Sequence, residues 1–287
     1  MTTIRRIVPV VCALAAGLAL AATVSAGKGP APGVQLEGRG VATAGGAVRY
    51  ATRELAGSTR VTAFDADGRT LRQGTVTGTL GIPYVAFDGS LGGLAHDGRT
   101  LVLASPAPVG GRSRFAVLRT AGLALRHRLA LRGTWSFDAL SPDGRTLYLV
   151  EHAPAPSPTY RVRAYDLRRG TLLREAVVDP RLGGRAMTGR PVTRASDPGG
   201  IWAYTLYQRP GGFPFVHALD TARGKALCIE LPWRGDQAGL SDVRMGVRGG
   251  SLVLRSRAGT HLATIDRSAF EVHAHVNPLR REAGRGR

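Results

Sequence analysis

Residues 133–152 read GTWSFDALSPDGRTLYLVEH, and residues 160–179 read YRVRAYDLRRGTLLREAVVD. The first stretch is an apolar strand, a turn at Ser141, Pro142, Asp143 and Gly144, and a second strand over 146–150. Pro presets the turn dihedral, Asp bonds the local backbone, and Gly accepts the positive φ of a tight hairpin. The second stretch repeats that logic around a turn from Asp166 to Gly170. Two hairpins separated by a Pro-rich connector make one small sheet of four strands.

The unit recurs. His96-Asp97-Gly98-Arg99-Thr100-Leu101 matches residues 142–147 at a spacing of 46. The apolar residue before the second turn reappears at Phe64, Leu118, Tyr165, Leu219 and Ile265, spaced 54, 47, 54 and 46 apart. Asp follows it at Asp65, Asp166, Asp220 and Asp266. First hairpins precede each one and are most degenerate in 40–55 and 201–207. No segment carries a helical apolar period with caps, and Pro and Gly interrupt every long stretch. Four strands per unit at this period predict an all-β fold, a β-propeller of four-stranded antiparallel blades. Five repeats are visible, which allows five to seven blades, against the alternative of a β-sandwich. The segment 34–38 is a candidate to pair with the last blade and close the ring.

SPDGRTLYLV followed by YDLRRGTLLREAVV resembles the YVTN-type repeat, related to the WD-repeat and lactonase-like propellers. HALDTARGKALCIEL, residues 217–231, is similar to its second hairpin. The resemblance covers most of the chain after residue 27 and is strongest in the third and fourth units. It implies the fold and little chemistry, because such propellers include binding scaffolds, periplasmic receptors, lactonases and cofactor-bearing dehydrogenases, and a shared fold does not carry function across. There is no WD dipeptide, and no catalytic motif of an enzymatic member transfers residue by residue.

The 287 residues carry 43% hydrophobic and 21% charged side chains, enough for a sizeable core and against wholesale disorder. Two cysteines exclude a disulfide scaffold. Lys28 and Lys225 are the only lysines and Asn277 the only asparagine, a pattern of GC-rich bacterial coding. That bias chooses Arg over Lys but does not create the net charge of +19. At the amino terminus, Arg5 and Arg6 precede an apolar run over 7–22 and the small residues Ser25 and Ala26, which reads as an export signal cleaved after Ala26. An uncleaved anchor is the alternative. Cleavage leaves 37 basic against 20 acidic residues, and Cys228 as the one thiol. The expected division is a signal at 1–26, a linker and possible ring-closing strand at 27–37, the propeller at 38–277 and a basic tail at 278–287.

Chemistry-bearing candidates fall in two places. Asp138, Arg194 and Asp242 occupy similar positions on the innermost strands of successive units, so they are expected at the channel mouth as contacts for a polar ligand. Asp88 has a similar context displaced by an insertion. His273 and His275 alternate along the last strand with Glu271 on the same face, and His261 on the partner strand would face them at even register, giving a possible divalent metal site. The plainer reading of the histidines is a solvated outer face. Glu151 and His152 are adjacent and point to opposite faces, so they are poorly placed as an acid/base pair. Cys228 is expected to be buried and inert, and Trp135, Trp202 and Trp233 to pack between blades.

These residues predict an exported, extracytoplasmic, non-enzymatic scaffold of the cell envelope that binds an envelope protein or small polar ligand, with no cofactor. One alternative is a lactonase-like or cofactor-dependent enzyme with a site at the channel mouth. A second is an adaptor for anionic cell-wall polymer, which the basic excess and the tail from Arg280 would favour. Nucleic acid ranks low because the chain reads as exported.

Overall fold

A computed structural model describes residues 32–183 and 185–280. The expected export signal at 1–26 and residues 281–287 of the expected basic tail lie outside them. A short strand β1 (Val34–Gln35) precedes the first sheet of β2 (Val41–Ala42), β3 (Val48–Leu55), β4 (Ser58–Asp65) and β5 (Thr70–Thr77). After β6 (Ile82–Pro83) comes the second, of β7 (Thr100–Ala104), β8 (Arg112–Arg119) and β9 (Ala124–Arg132). The third holds β10 (Thr134–Leu140), β11 (Thr146–His152), β12 (Thr159–Asp166) and β13 (Thr171–Val177), with β14 (Met187–Thr188) added to β12. The fourth is β15 (Arg190–Ser196), β16 (Trp202–Gln208), β17 (Phe215–Asp220) and β18 (Lys225–Glu230). The fifth is β19 (Val243–Arg248), β20 (Ser251–Ser256), β21 (His261–Asp266) and β22 (Val272–Ala274). Each sheet runs its strands in chain order, the meander of a propeller blade. The chain is an all-β propeller of five such sheets.

The turn chemistry explains the repeat. Ser141 Oγ donates to Asp143 Oδ1 at 2.7 Å, while Gly144 N donates to Ser141 O at 2.9 Å with φ +65°. In the second hairpin, Asp166 Oδ1 accepts from the amides of Arg168 and Arg169 at 2.8 and 2.9 Å. Asp220 does the same for Ala222 and Arg223, and Asp266 for Ser268 and Ala269. The recurring Asp is therefore an amide cap for the outer turn, which is why it survives in units whose first hairpin has decayed.

Alternation along central strands feeds two interfaces at once. In β16, Ala203 and Tyr207 pack toward the third sheet, while Tyr204 and Leu206 pack toward the fifth. Four apolar clusters result, between sheets one and two, two and three, three and four, and four and five. Trp135 and Trp233 sit in two of them, 8% and 1% exposed, as blade-packing residues. Among the described residues no such cluster joins the fifth sheet to the first. The register places Arg49, Arg53 and Arg60 on the outward face of the first sheet, and Arg244, Arg248 and Arg255 on that of the fifth.

Two sequence expectations change. The segment at 34–38 does not reach the last blade: Val34 pairs with Pro83 and Gln35 with Ile82, between the first two sheets. Thr52 Oγ1 holds it there, donating to Gln35 O at 3.0 Å. The second unit also lacks a continuous inner strand. Its inner segment makes only isolated bridges, Tyr84 with Leu91 and Leu94 with Leu101. Between them the insertion around Asp88 crosses to the fourth sheet, where Phe87 N and Asp88 N donate to Pro191 O and Val192 O at 3.0 and 3.1 Å. The loop thus lies against β15, and a cavity is lined by residues at each end of that strand.

Candidate functional site

Asp138 sits at a bulge. Phe137 pairs with Leu149 and Ala139 with Tyr148, so Asp138 has no ladder partner and its side chain is re-aimed. It meets Arg194 of β15, whose Nη1 donates to Asp138 Oδ1 at 2.7 Å and to Thr205 Oγ1 at 3.0 Å. The two side chains are 4% and 9% exposed, so this is a buried ion pair joining the third and fourth sheets. Such a pair fixes geometry more than it stabilises, because desolvation of both charges opposes their attraction.

The pair has a cavity on either side. One, of about 260 Å³, is walled by the inner segments of four sheets: β2, residues 91–96, β10 and β15. Arg194 and Asp138 form its floor, and His96, Ser196 and Asp197 stand among its other polar residues. Asp197 is tied down by Arg267 Nη2 at 3.3 Å, and Arg267 Nε donates to Tyr204 Oη at 3.1 Å. The other cavity is about 20 Å³, the volume of a site for one water. Asp138, Ser136, His152, Tyr160 and Tyr207 line it, and neither Asp138 Oδ2 nor Tyr160 Oη has a hydrogen-bond partner.

Around the smaller cavity lies a buried polar and aromatic cluster that sequence reading did not anticipate. Tyr160 stacks on Tyr207 at 5.4 Å, and Tyr207 on Phe215 at 5.2 Å. Burial raises the phenols of both tyrosines well above their ordinary value, keeping them neutral. Ser136 Oγ and His152 Nε2 are 2.9 Å apart. A serine beside an imidazole suggests a nucleophile and base, yet burial lowers the His152 pKa to about 4, which makes it a weak base at neutral pH. With space for about one water, an acyl substrate does not fit. The bond is a cross-strand tie between β10 and β11. Glu151 points the other way, to Arg163 at 3.0 Å.

His152 makes stability pH-dependent. In the unfolded chain it protonates near its ordinary 6.5, but in the folded protein only near 4, so the unfolded state binds more protons between these values. Its contribution is complete above about pH 6.5 and is lost as pH falls toward 4, at most about 3 kcal/mol. His217, also lowered by burial, acts in the same direction. The urea midpoint should therefore fall through this window, and His152→Gln should flatten the slope. An unchanged slope in the variant contradicts this assignment.

The remaining candidates fall elsewhere. Asp242 does not join Asp138 and Arg194: it ends a 3-10 turn (Gln237–Asp242) ahead of β19 and pairs with Arg257 at 3.5 Å, both well exposed. It lines a separate groove of about 980 Å³ beside the fifth sheet. The histidines resolve into a pair. His261 and His275 have ring centroids 4.4 Å apart, and His261 Nε2 lies 2.8 Å from Thr264 Oγ1, whereas His273 is exposed opposite Thr264. A register shift after Leu254, and Leu262 O accepting from both His275 N and Val276 N, break the parity that would align all three. Among the described residues no three His, Cys, Asp or Glu side chains form a metal-holding group. Cys228 is half-buried rather than fully buried, its amide bonded to Asp179 Oδ2 at 2.8 Å. Burial pushes its thiol up to about 12, so it is unreactive as a thiolate.

Comparison with solved structures returns propellers. The chain is similar to an acylaminoacyl peptidase in complex with Z-Gly-Gly-Phe-chloromethyl ketone, at 13% identity and TM-score 0.50 over 85% of this chain and 39% of the peptidase. It also matches the Dos1 propeller, at 11% identity and TM-score 0.43 over 80% and 56% of the two chains. A putative TolB from Agrobacterium tumefaciens aligns at 14% identity and TM-score 0.44, over 84% and 80%. At these identities the likeness is one of fold alone. No family model matches the chain. No curated protein matches it either.

Proposed function

We propose that this chain is an exported, non-enzymatic binding protein of the cell envelope that holds a small polar ligand in the axial cavity. The observation that carries the reading is the cavity of about 260 Å³ walled by four sheets over the Asp138–Arg194 pair. Its size suits a small metabolite, just below the usual range of ligand pockets. A floor with one acid and one base favours a neutral or zwitterionic molecule with both donors and acceptors. Rigid blades support it by holding the surrounding loops in one place. The extracytoplasmic location rests on Arg5, Arg6 and the apolar run after them. Among the described residues no helix is long and apolar enough to cross a membrane.

Thermal unfolding of the purified protein against amino acids, sugars, lactones and divalent metals, at low and high salt, tests this. A cavity ligand at about 100 times its Kd adds about 2.7 kcal/mol of stability. The stabilisation should persist in high salt, because buried charges are weakly screened. It should vanish in Ser196→Trp, which places a bulky ring on the face of β15 two residues from Arg194. A shift confined to low salt, or one that survives Ser196→Trp, would point away from this cavity.

A further inference from the structure

β15 runs from Arg190 to Ser196. Ser196 lines the cavity over Asp138 and Arg194 described above, and Arg190 stands at the opposite end of the strand, beside the loop at Asp88. There a second cavity of about 380 Å³ is lined by Arg190, Arg244 and Arg257, with Gln208, Phe87 and Asp88 in its wall. The three guanidiniums come from three separate segments: the start of β15, the start of β19 and the turn after β20.

Their charges are poorly compensated. Arg190 Cζ lies over the Phe87 ring, 4.6 Å from its centroid, a cation–π contact that uses none of its N–H donors. Arg244 Nη1 donates only to the carbonyls of Ser241 and Val243, at 2.9 and 2.8 Å. Among the described residues neither arginine has a carboxylate within salt-bridge distance, and Arg257 has only the exposed Asp242 at 3.5 Å. The one acid in the wall, Asp88, is occupied locally: its Oδ1 accepts from Ser90 N at 2.9 Å and Ser90 Oγ at 2.6 Å. Three positive groups around a concave space, with Asp88 hydrogen-bonded to Ser90 and Asp242 engaging only Arg257, form an anion receptor. Guanidinium forks match the oxygen spacing of phosphoryl groups and bind them through paired charge-assisted hydrogen bonds.

We propose that this cavity binds a phosphoryl group, carried by free phosphate, by a small phosphate ester or by the phosphates of an anionic polymer. It is a different site from the axial ligand cavity, with a different ligand chemistry, and the two stand or fall separately.

Calorimetric titration of the full chain with inorganic phosphate, glycerol 3-phosphate and poly(glycerol phosphate) tests it, with Arg190→Gln, Arg244→Gln and Arg126→Gln compared in each. Arg126 is an exposed arginine on β9, remote from the cavity, and reports general charge loss. Binding of at least one probe should weaken about tenfold or more in Arg190→Gln and in Arg244→Gln, as expected for loss of a charged hydrogen bond. Arg126→Gln and Ser196→Trp should bind as the parent does. The probe bound most tightly identifies the source of the phosphoryl group. Unchanged thermal midpoints without ligand, or in their place unchanged midpoints of the milder Arg190→Lys and Arg244→Lys, separate lost binding from lost fold. No binding of any probe, or equal losses in Arg126→Gln and the cavity variants, overturns the proposal.

Discussion

Arg194→Met is expected to destabilise the protein by about 3–5 kcal/mol, because it leaves Asp138 as an unpaired charge in a site where it is 4% exposed. The loss should be larger than the partner's position alone suggests. Asp138 Oδ2 already lacks a hydrogen bond, so removing Arg194 strips the carboxylate of its one strong contact. Asp138→Leu combined with Arg194→Met should recover most of that stability, since an apolar pair of similar volume avoids both desolvation penalties. Guanidinium unfolding of the two variants and the parent measures both effects. A loss below about 1 kcal/mol in the single variant, the range of exposed ion pairs, would falsify the claim that this pair is buried and functionally placed.

Gly144→Ala should be nearly as costly. Gly144 has φ +65°, and an added Cβ would lie 2.5 Å from Thr100 Oγ1 and 2.8 Å from Thr100 Cβ in the neighbouring sheet. A left-handed backbone costs about 1–2 kcal/mol for a residue with a Cβ, and overpacking adds about 1–3 kcal/mol. Gly170 provides the comparison within the same unit. Its φ is +69°, but the nearest atom to an added Cβ is Tyr165 Oη at 3.9 Å. Gly170→Ala should therefore show the backbone cost alone. Equal losses at the two glycines would mean that the contact with Thr100 does not constrain the hairpin.

The contrast between these glycines also shows what sequence can and cannot display. Both turns were legible, since Ser141, Pro142, Asp143 and Gly144, or Asp166 and Gly170, specify their conformations locally. The spacing of such turns identified the units, and with them the propeller and its packing tryptophans. That Gly144 is pressed against Thr100 depends on how two sheets stack, which no local pattern records. The same limit applies at the site. Asp138 and Arg194 were chosen for their offset from the inner turns, and the structure brings the two together as a buried pair. Their pairing across 56 residues was hidden because β10 and β15 each carry a register shift, between Phe137 and Ala139 and between Pro191 and Thr193.

Where offset reasoning failed, an irregular backbone intervened. Asp242 has the expected place in its unit, but the 3-10 turn before β19 puts it outside the strand and away from the axis. The three histidines alternate correctly in sequence, yet broken pairing at the ends of β21 and β22 leaves two of them together and one apart. Tyr160, Tyr207 and His217 gave no signal beyond that of ordinary strand residues. Tyr207 and His217 meet within the fourth sheet, and only stacking of that sheet on the third brings them to Tyr160 and Asp138.

The proposed ligand site is the cavity above Asp138 and Arg194. The most direct test is to take the compound giving the largest salt-resistant stabilisation and follow amide and arginine side-chain NMR signals as it is added. Perturbations should concentrate in residues 91–96, 137–140 and 194–197, including the Arg194 Nε signal, with little change on the outer strands β5, β9 and β13. Perturbations spread over those outer strands, or centred on Arg190 and Arg244 with Arg194 unmoved, would contradict it.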